Sequence, residues 1–385
     1  MKKAFVTIFP LFSEALAYKD VGLIAKYMSA EHGYDSYMVS NRVVSWDGDF
    51  FNSVTQVCFG SDYETGEVEL DIARYNIIKT LKFIRSLSKK YDKIIVNFYH
   101  THRNTLLLAA VLKTLFSNVY VYIKLDIQSK DAKVIFKDSE TFKSKVRNFI
   151  LDKVDIFSAE TIQAFNNLKQ KKSIGNRTYL IPNGVSIRDE LVYLKSDNFF
   201  HEKEKIIFTA GRLESYEKNT RLLIDSYLKS ELWKDGWRLI LAGSYDDGLY
   251  EYIEKKIENI IDNNGETIML TGYLNREQLF SHMRRAKVFA LSSRWEGFAL
   301  VLPEAVAHGC IIAATDVGGV ADVTNMGTLG FIAKEQTVDS FTEALKSAAE
   351  SEPLLGKKQM DFGITNFDWK SICNKLAKII DEKTN

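Results

Sequence analysis

Cysteine is scarce in this chain, and the three present, Cys58, Cys310 and Cys373, lie far apart with no close Cys or His partner. That excludes a disulfide framework, leaves no zinc-ligand spacing and fits a reducing cytoplasm. Long apolar runs are missing as well. The best candidate, residues 106–116, is interrupted by Lys113 and falls short of the ~18–20 apolar residues of a membrane helix. The expected location is therefore cytoplasmic, either soluble or peripheral at the inner face of the membrane. No Asp-x-Asp metal motif follows a predicted strand; Asp246-Asp247, after Gly243-Ser244-Tyr245, reads as a turn and a helix cap. His100 and His102 alternate after an apolar run and make a poor metal site without further ligands. No metal or other cofactor is expected. The motifs contain no Ser-His-Asp set, and no internal repeat is visible.

What the chain does have is bulk and alternation. At 385 residues it exceeds what one hydrophobic core usually supports, which makes two domains the starting expectation. A hydrophobic fraction of 46% beside 26% charged residues belongs to a soluble globular protein. The net charge of +1 is unevenly spread: residues 1–200 hold 28 Lys and Arg against 22 Asp and Glu, while residues 201–385 hold 23 against 28. In the basic front half, Lys130, Lys133, Lys137, Lys143, Lys145, Arg147 and Lys153 interleave with Phe136, Phe142, Val146, Phe149 and Ile150. Such a segment is either an amphipathic surface resting on anionic lipid or, more plainly, a solvated helix whose apolar residues pack inward.

Lys2-Lys3 followed by an apolar stretch and Ala15-Leu16-Ala17 mimics a signal peptide, but Pro10 interrupts the stretch and a helical pattern through Val21, Ile24 and Met28 follows. Residues 3–9 are therefore expected to be the first strand of a β-α-β unit. Strands at 36–40, 93–98, 119–125, 154–158 and 179–181 alternate with helices at 71–90, 105–116 and 139–151. Residues 186–204, charged and without clear periodicity, read as a linker. A second series of strands begins at 206–209 and continues at 238–241, 268–271, 288–291 and 311–314. Repeated alternation of this kind means parallel, doubly wound sheets with ligands above the carboxyl ends of the strands. The expected division is a Rossmann-like domain over 1–190, a second over 200–365, and a last helix within 366–385.

The second half is organised around residues 294–309, Arg-Trp-Glu-Gly-Phe-Ala-Leu-Val-Leu-Pro-Glu-Ala-Val-Ala-His-Gly. An apolar run leads in, Pro303 suits the first turn of a helix and Gly309 would end it, so the string reads strand, loop, helix. Amides at a helix start lack intrahelical partners and suit phosphate or sugar hydroxyls. Glu296 in the loop and Glu304 in the helix could hold two parts of one hydroxyl-rich ligand. Glu296 could instead cap the helix.

This string closely resembles the signature of the retaining nucleotide-sugar glycosyltransferases of family 4, in which two glutamates are separated by seven residues inside a Glu-Gly-Phe-Gly context. Gly211-Arg212-Leu213 with Lys218-Asn219, Ile181-Pro182-Asn183-Gly184-Val185 and Asp316-Val317-Gly318-Gly319 resemble further family motifs, in the family's order. The resemblance is specific over residues 150–325 and only patterned before them. It implies a GT-B fold, two Rossmann-like domains facing a cleft, with the last helix crossing back onto the first domain. It implies that Arg212 and Lys218 bind the donor diphosphate, the guanidinium as a fork and the ammonium as a point charge. Glu296 would contact sugar hydroxyls near the reacting carbon, Glu304 the ribose, and the backbone amides of Phe298, Ala299, Leu300 and Val301 the sugar and phosphate. Ala299 replaces the family's common glycine, and the Phe298 ring reads equally as core or contact. Asp126 falls where relatives place a His or Asp against the transferred sugar, though an Asp at a strand end also makes turns.

The glycine-rich loop usual after the first strand is here Pro10-Leu11-Phe12-Ser13-Glu14, so acceptor identity does not carry over. The activity implied is retaining, metal-independent transfer from a nucleotide-diphosphate sugar, with UDP the expected nucleotide, to a hydroxyl of a glycan or lipid-linked acceptor in cell-surface polysaccharide synthesis. Nucleic acid is not an expected partner. The alternatives are a non-catalytic nucleotide-sugar-binding subunit of a glycosyltransferase complex, or an epimerase or phosphorylase on the same fold.

Overall fold

Strand β1 (Lys3–Ile8) lies inside a seven-stranded, all-parallel sheet, paired on one side with β2 (Asp35–Ser40) and on the other with β4 (Lys93–Tyr99). With β3 (Val54–Cys58), β5 (Val119–Leu125), β6 (Ile156–Ala159) and β7 (Thr178–Leu180), the order is β3-β2-β1-β4-β5-β6-β7. The computed structural model describes residues 1–44, 49–60, 76–136, 141–186, 199–258 and 267–384. Within them the helices of this part are α1 (Glu14–Ala17), α2 (Asp20–His32), α3 (Ile77–Ser88), α4 (Arg103–Leu115), α5 (Ser129–Val134), α6 (Phe142–Leu151) and α7 (Ile162–Lys169). Successive residues of a strand point to opposite faces, so the central strands feed two cores. Ala4, Val6, Ile94 and Val96 join Leu112 and Leu168 in one. Phe5 and Ile95 join Ile24, Trp369 and Ile380 in the other. β4 is buried along its whole length, the usual state of a parallel strand covered on both faces, with Lys93 and Asn97 the polar residues in an otherwise apolar run.

The second sheet has six parallel strands, β8 (Glu204–Ala210), β9 (Arg238–Ala242), β10 (Ile268–Gly272), β11 (Ala286–Leu291), β12 (Ile311–Thr315) and β13 (Phe331–Ala333), in the order β10-β9-β8-β11-β12-β13. Its helices are α8 (Thr220–Ser230), α9 (Asp247–Ile257), α10 (Arg276–Arg285), α11 (Val301–Ala307), α12 (Val320–Val323), α13 (Val338–Glu350) and α14 (Pro353–Phe367). The chain thus forms the two Rossmann-like, doubly wound parallel-sheet units expected of it. One unit comprises Met1–Asn183 with Trp369–Asn385, the other Gly184–Asp368. Helix α15 (Trp369–Thr384) packs on α2, with Lys370 paired to Glu31 at 2.9 Å and Trp369 fully buried.

Several elements differ from the sequence reading. The edge strand β3 and helix α7 were not expected. Helix α3 begins at Ile77, and residues 71–75 of the expected 71–90 helix lie outside the described residues. So do residues 187–198 of the expected linker, and Lys137 of the basic segment. The motif Phe367-Asp368-Trp369 is expected to open a last helix through Ile380, but Phe367 ends α14, Asp368 is extended and bridges in parallel to Val185, and α15 starts afresh at Trp369. The plainer reading of the basic segment fails for Phe142, Val146 and Phe149, which are exposed on α6 instead of packed inward.

Candidate donor site and a charged cluster in the first unit

Four loops leave the carboxyl ends of β8, β9, β11 and β12 in the second unit. The turn after β8 must pass close to the turn after β9: the Gly211 amide donates to Ala242 O at 2.9 Å and the Leu213 amide to Ser244 O at 2.8 Å. Lys218 follows, just before α8, and donates to Glu296 Oε1 at 2.6 Å. The same oxygen accepts the Ser293 hydroxyl at 2.6 Å, and Ser293 O in turn accepts from Thr315 Oγ1 at 2.6 Å. The loop after β11 is tied to the Lys218 loop twice more, by Ser292 Oγ to Lys218 O at 3.0 Å and by the Arg294 amide to Glu217 O at 2.7 Å. Lys218 and Glu296 keep only 20% and 14% of their side-chain surface, so both charges are held in place rather than free in solvent.

Gly318, after β12, sets the back of this loop. Its φ of 49° is a conformation that side-chain-bearing residues rarely take. A Cβ there would also lie 2.8 Å from the Cβ of Glu296. Arg212 is largely exposed and pairs with Glu217, which ties the cation expected for phosphate to the residue preceding Lys218. Beside it a cavity of about 320 Å³ is lined by Ser215, Tyr216, Asn219, Arg221, Asp246 and Arg294.

Helix α11 matches the expected strand-loop-helix reading: Pro303 sits in its first turn, and Gly309, at φ 73°, follows its end. Glu304 lies in that first turn, half-buried. The Phe298 ring is buried against Phe367, with ring centres 5.9 Å apart, so its side chain belongs to the core. Ala299 is buried too, while Leu300 and Val301 are partly exposed. Asp246 caps α9 through the Leu249 amide at 2.8 Å, the role expected for it. The structure brings Arg212, Lys218 and Glu296 to adjoining loops at the carboxyl ends of the central strands β8 and β11, with Glu304 in the helix that follows.

Asp126 belongs to the first unit, exposed just past β5. Behind it is a feature the sequence reading missed. Lys124 is fully buried and donates to Glu160 Oε1 at 2.6 Å and to Asn183 Oδ1 at 2.8 Å, with Asp20 Oδ2 at 3.6 Å. Burial pushes the Glu160 carboxyl up to about 7; Asp126 and Asp20 add to that push against the pull of Lys124. Burial likewise raises Asp20. For Lys124 burial acts downward, but Glu160 and Asp20 outweigh it and hold the ammonium above the usual lysine range. The signal was present: a lysine inside the apolar run of 119–125, on a strand expected to be covered on both faces, needs a buried partner. The His100 and His102 rings lie 5.7 Å apart, and among the described residues no group of three or more His, Cys, Asp or Glu could hold a metal ion. Nor, among those residues, is any helix long and apolar enough to cross a membrane.

Residues 194–367 match the family model for glycosyl transferases group 1. The chain is 27% identical over 215 residues to an uncharacterized glycosyltransferase of Methanocaldococcus jannaschii, covering 55% of each. It is 26% identical over 221 residues to the N-acetylgalactosamine-N,N'-diacetylbacillosaminyl-diphospho-undecaprenol 4-alpha-N-acetylgalactosaminyltransferase of Campylobacter jejuni, covering 55% of this chain and 57% of that one. The chain spans about half the length of the curated relatives it matches. Over 98% of its length it shares the fold of Anabaena HepE, a structure in complex with UDP and glucose, with a TM-score of 0.61 at 15% identity and 99% of that chain covered. The chain therefore carries a glycosyl transferases group 1 domain, which lies within its second unit.

Proposed function

We propose that the protein transfers a sugar from a UDP-sugar to a hydroxyl of a glycan or lipid-linked acceptor in cell-surface polysaccharide synthesis, retaining the configuration and requiring no metal ion. The observation that carries this reading is the contact between Lys218 and Glu296 inside a group 1 domain. It sets a cation suited to a diphosphate beside a carboxylate suited to sugar hydroxyls. Lys218 and Arg212 stabilise the charge that develops on the departing diphosphate, the work a metal does elsewhere. Glu296 orients the sugar, Glu304 holds the ribose, and the amides of Phe298, Ala299, Leu300 and Val301 line the sugar and phosphate. The bond from the anomeric carbon to the β-phosphate oxygen breaks, its electron pair leaving with the nucleotide. The acceptor oxygen bonds to that carbon from the same face, and its proton passes to the departing phosphate. The UDP in the HepE structure and the diphospho-undecaprenol in the Campylobacter enzyme's name support the choice of nucleotide and acceptor class.

The test is incubation with a panel of nucleotide sugars and with glycan and undecaprenyl-diphosphate acceptors, with and without a chelator, reading the anomeric form of any product by NMR. Chelator-resistant transfer from a UDP-sugar with the donor's anomeric configuration is expected. Donor turnover without acceptor would replace the reading with an epimerase, and donor binding without turnover on any acceptor with a regulatory subunit.

A further inference from the structure

Helix α6 is apolar on the side that faces away from the protein. Its buried residues are Ser144 and Leu151, whereas Phe142, Val146 and Phe149, at the i, i+4, i+7 spacing of one helix face, are exposed, the two phenylalanines by 81% and 66%. Helix α4, which packs beside it, repeats the pattern: Leu106, Ala109 and Leu112 are buried, and Leu107, Val111 and Leu115, at i, i+4, i+8, are exposed. Isolated exposed apolar residues need no explanation, but six in two stripes on neighbouring helices do. The charges on the two helices themselves have one sign, with Asp152 the exposed acidic residue at the cap of α6. Neither helix contains an Asp or Glu; Lys143 and Lys145 are exposed on α6, and the Lys153 ammonium lies 5.2 Å from the centre of the Phe149 ring.

From this juxtaposition we propose that the face formed by α6 and α4 docks on an anionic phospholipid surface, with Phe142 and Phe149 entering the boundary between headgroups and acyl chains and Lys143, Lys145 and Lys153 held at the phosphates. Charge complementarity selects this occupant. A basic rim around exposed aromatic and aliphatic side chains is what a negatively charged bilayer interface takes up, and such a surface requires no matched shape. The inference does not rest on the sugar-transfer reading, and its test uses no sugar.

The experiment is co-sedimentation of the full chain with vesicles of pure phosphatidylcholine and of phosphatidylcholine containing phosphatidylglycerol, at low and high salt. The variants are Phe142→Ser with Phe149→Ser, and Lys143→Glu with Lys145→Glu. Both pairs are on exposed positions, and unchanged melting temperatures would verify folding. The wild type is expected to bind the anionic vesicles and not the neutral ones. The lysine pair should weaken binding at least about tenfold, as the loss of two basic residues at an anionic surface implies. The phenylalanine pair should likewise weaken binding to the anionic vesicles at low salt by at least about tenfold, as the loss of two inserted aromatic side chains implies, and high salt should release the wild type. Failure of the wild type to bind anionic vesicles overturns the proposal, as does binding indifferent to the phenylalanine pair. Self-association that Phe142→Ser abolishes without lipid would also overturn it, by making the face an interface between copies.

Discussion

The Lys218 ammonium stands 2.6 Å from Glu296 Oε1, so a single cation joins the loop after β8 to the loop after β11. A diphosphate reaching Lys218 meets an ammonium already shared with a carboxylate. Replacing Glu296 by Gln removes that competition and the sugar contact together. Glu296→Gln should therefore bind free UDP at least as tightly as the wild type while losing transfer by a hundredfold or more, about 2.7 kcal/mol. Calorimetric titration with UDP, paired with a transfer assay, checks this; weaker UDP binding would show that Glu296 holds the nucleotide instead.

Arg212 should behave differently from Lys218, because it is exposed and its fork already engages Glu217. Arg212→Ala is expected to weaken UDP binding by roughly tenfold or more, given about 1.5–3 kcal/mol for hydrogen bonds to charged groups. Arg212→Lys should recover only part of that, since an ammonium cannot fork onto two oxygens. Equal affinity for the lysine variant and the wild type would remove the bidentate contact from the account.

Gly318 offers a test of loop geometry without touching a charge. A Cβ at this position would lie 2.6 Å from Gly297 O and 2.8 Å from the Glu296 Cβ, at a φ of 49°. Gly318→Ala should displace the Glu296 loop and depress transfer more than it lowers the melting temperature. A variant with full transfer would mean that the position of Glu296 is not critical.

The Lys124 cluster gives a pH dependence whose sign can be worked out. Glu160 holds its proton up to about 7 in the folded protein and releases it near the usual carboxylate value when unfolded. Between those values the folded state binds more protons, so this group's contribution is full at lower pH and is lost as pH rises through 7. Thermal melts from pH 5 to 8 should show that slope, and Glu160→Gln should flatten it. Lys124→Met should cost about 3–5 kcal/mol, the usual penalty for stripping a buried ion pair of one partner. An unchanged slope in Glu160→Gln would assign the titration to another group.

Strand β5 was legible to the residue, because seven residues between a turn and Asp126 carry the apolar pattern of a covered strand. The placement of Arg212, Lys218, Glu296 and Glu304 beside strand and helix ends was legible for a similar reason, since the apolar runs of β8 and β11 and the Pro303 turn mark those ends. β3 was not, since Thr55 and Gln56 sit in an edge strand with one neighbour and little need for apolar residues. Periodicity on α6 gave the Phe142, Val146, Phe149 stripe but not its direction; only the packing of Ser144 and Leu151 fixes which face is inward. Local pattern likewise could not show that Glu160 and Asn183, 36 and 59 residues from Lys124, converge on it.

The central claim is that the second unit binds a nucleotide diphosphate through Lys218, Arg212 and Glu304, and thermal unfolding with added UDP tests it most directly. At a hundred times its dissociation constant UDP should stabilise the wild type by about 2.7 kcal/mol. That stabilisation should fall sharply in Lys218→Ala, Arg212→Ala and Glu304→Ala and persist in Glu296→Gln. No stabilisation of the wild type by UDP or any other nucleoside diphosphate, or an undiminished effect in all three alanine variants, would contradict the account.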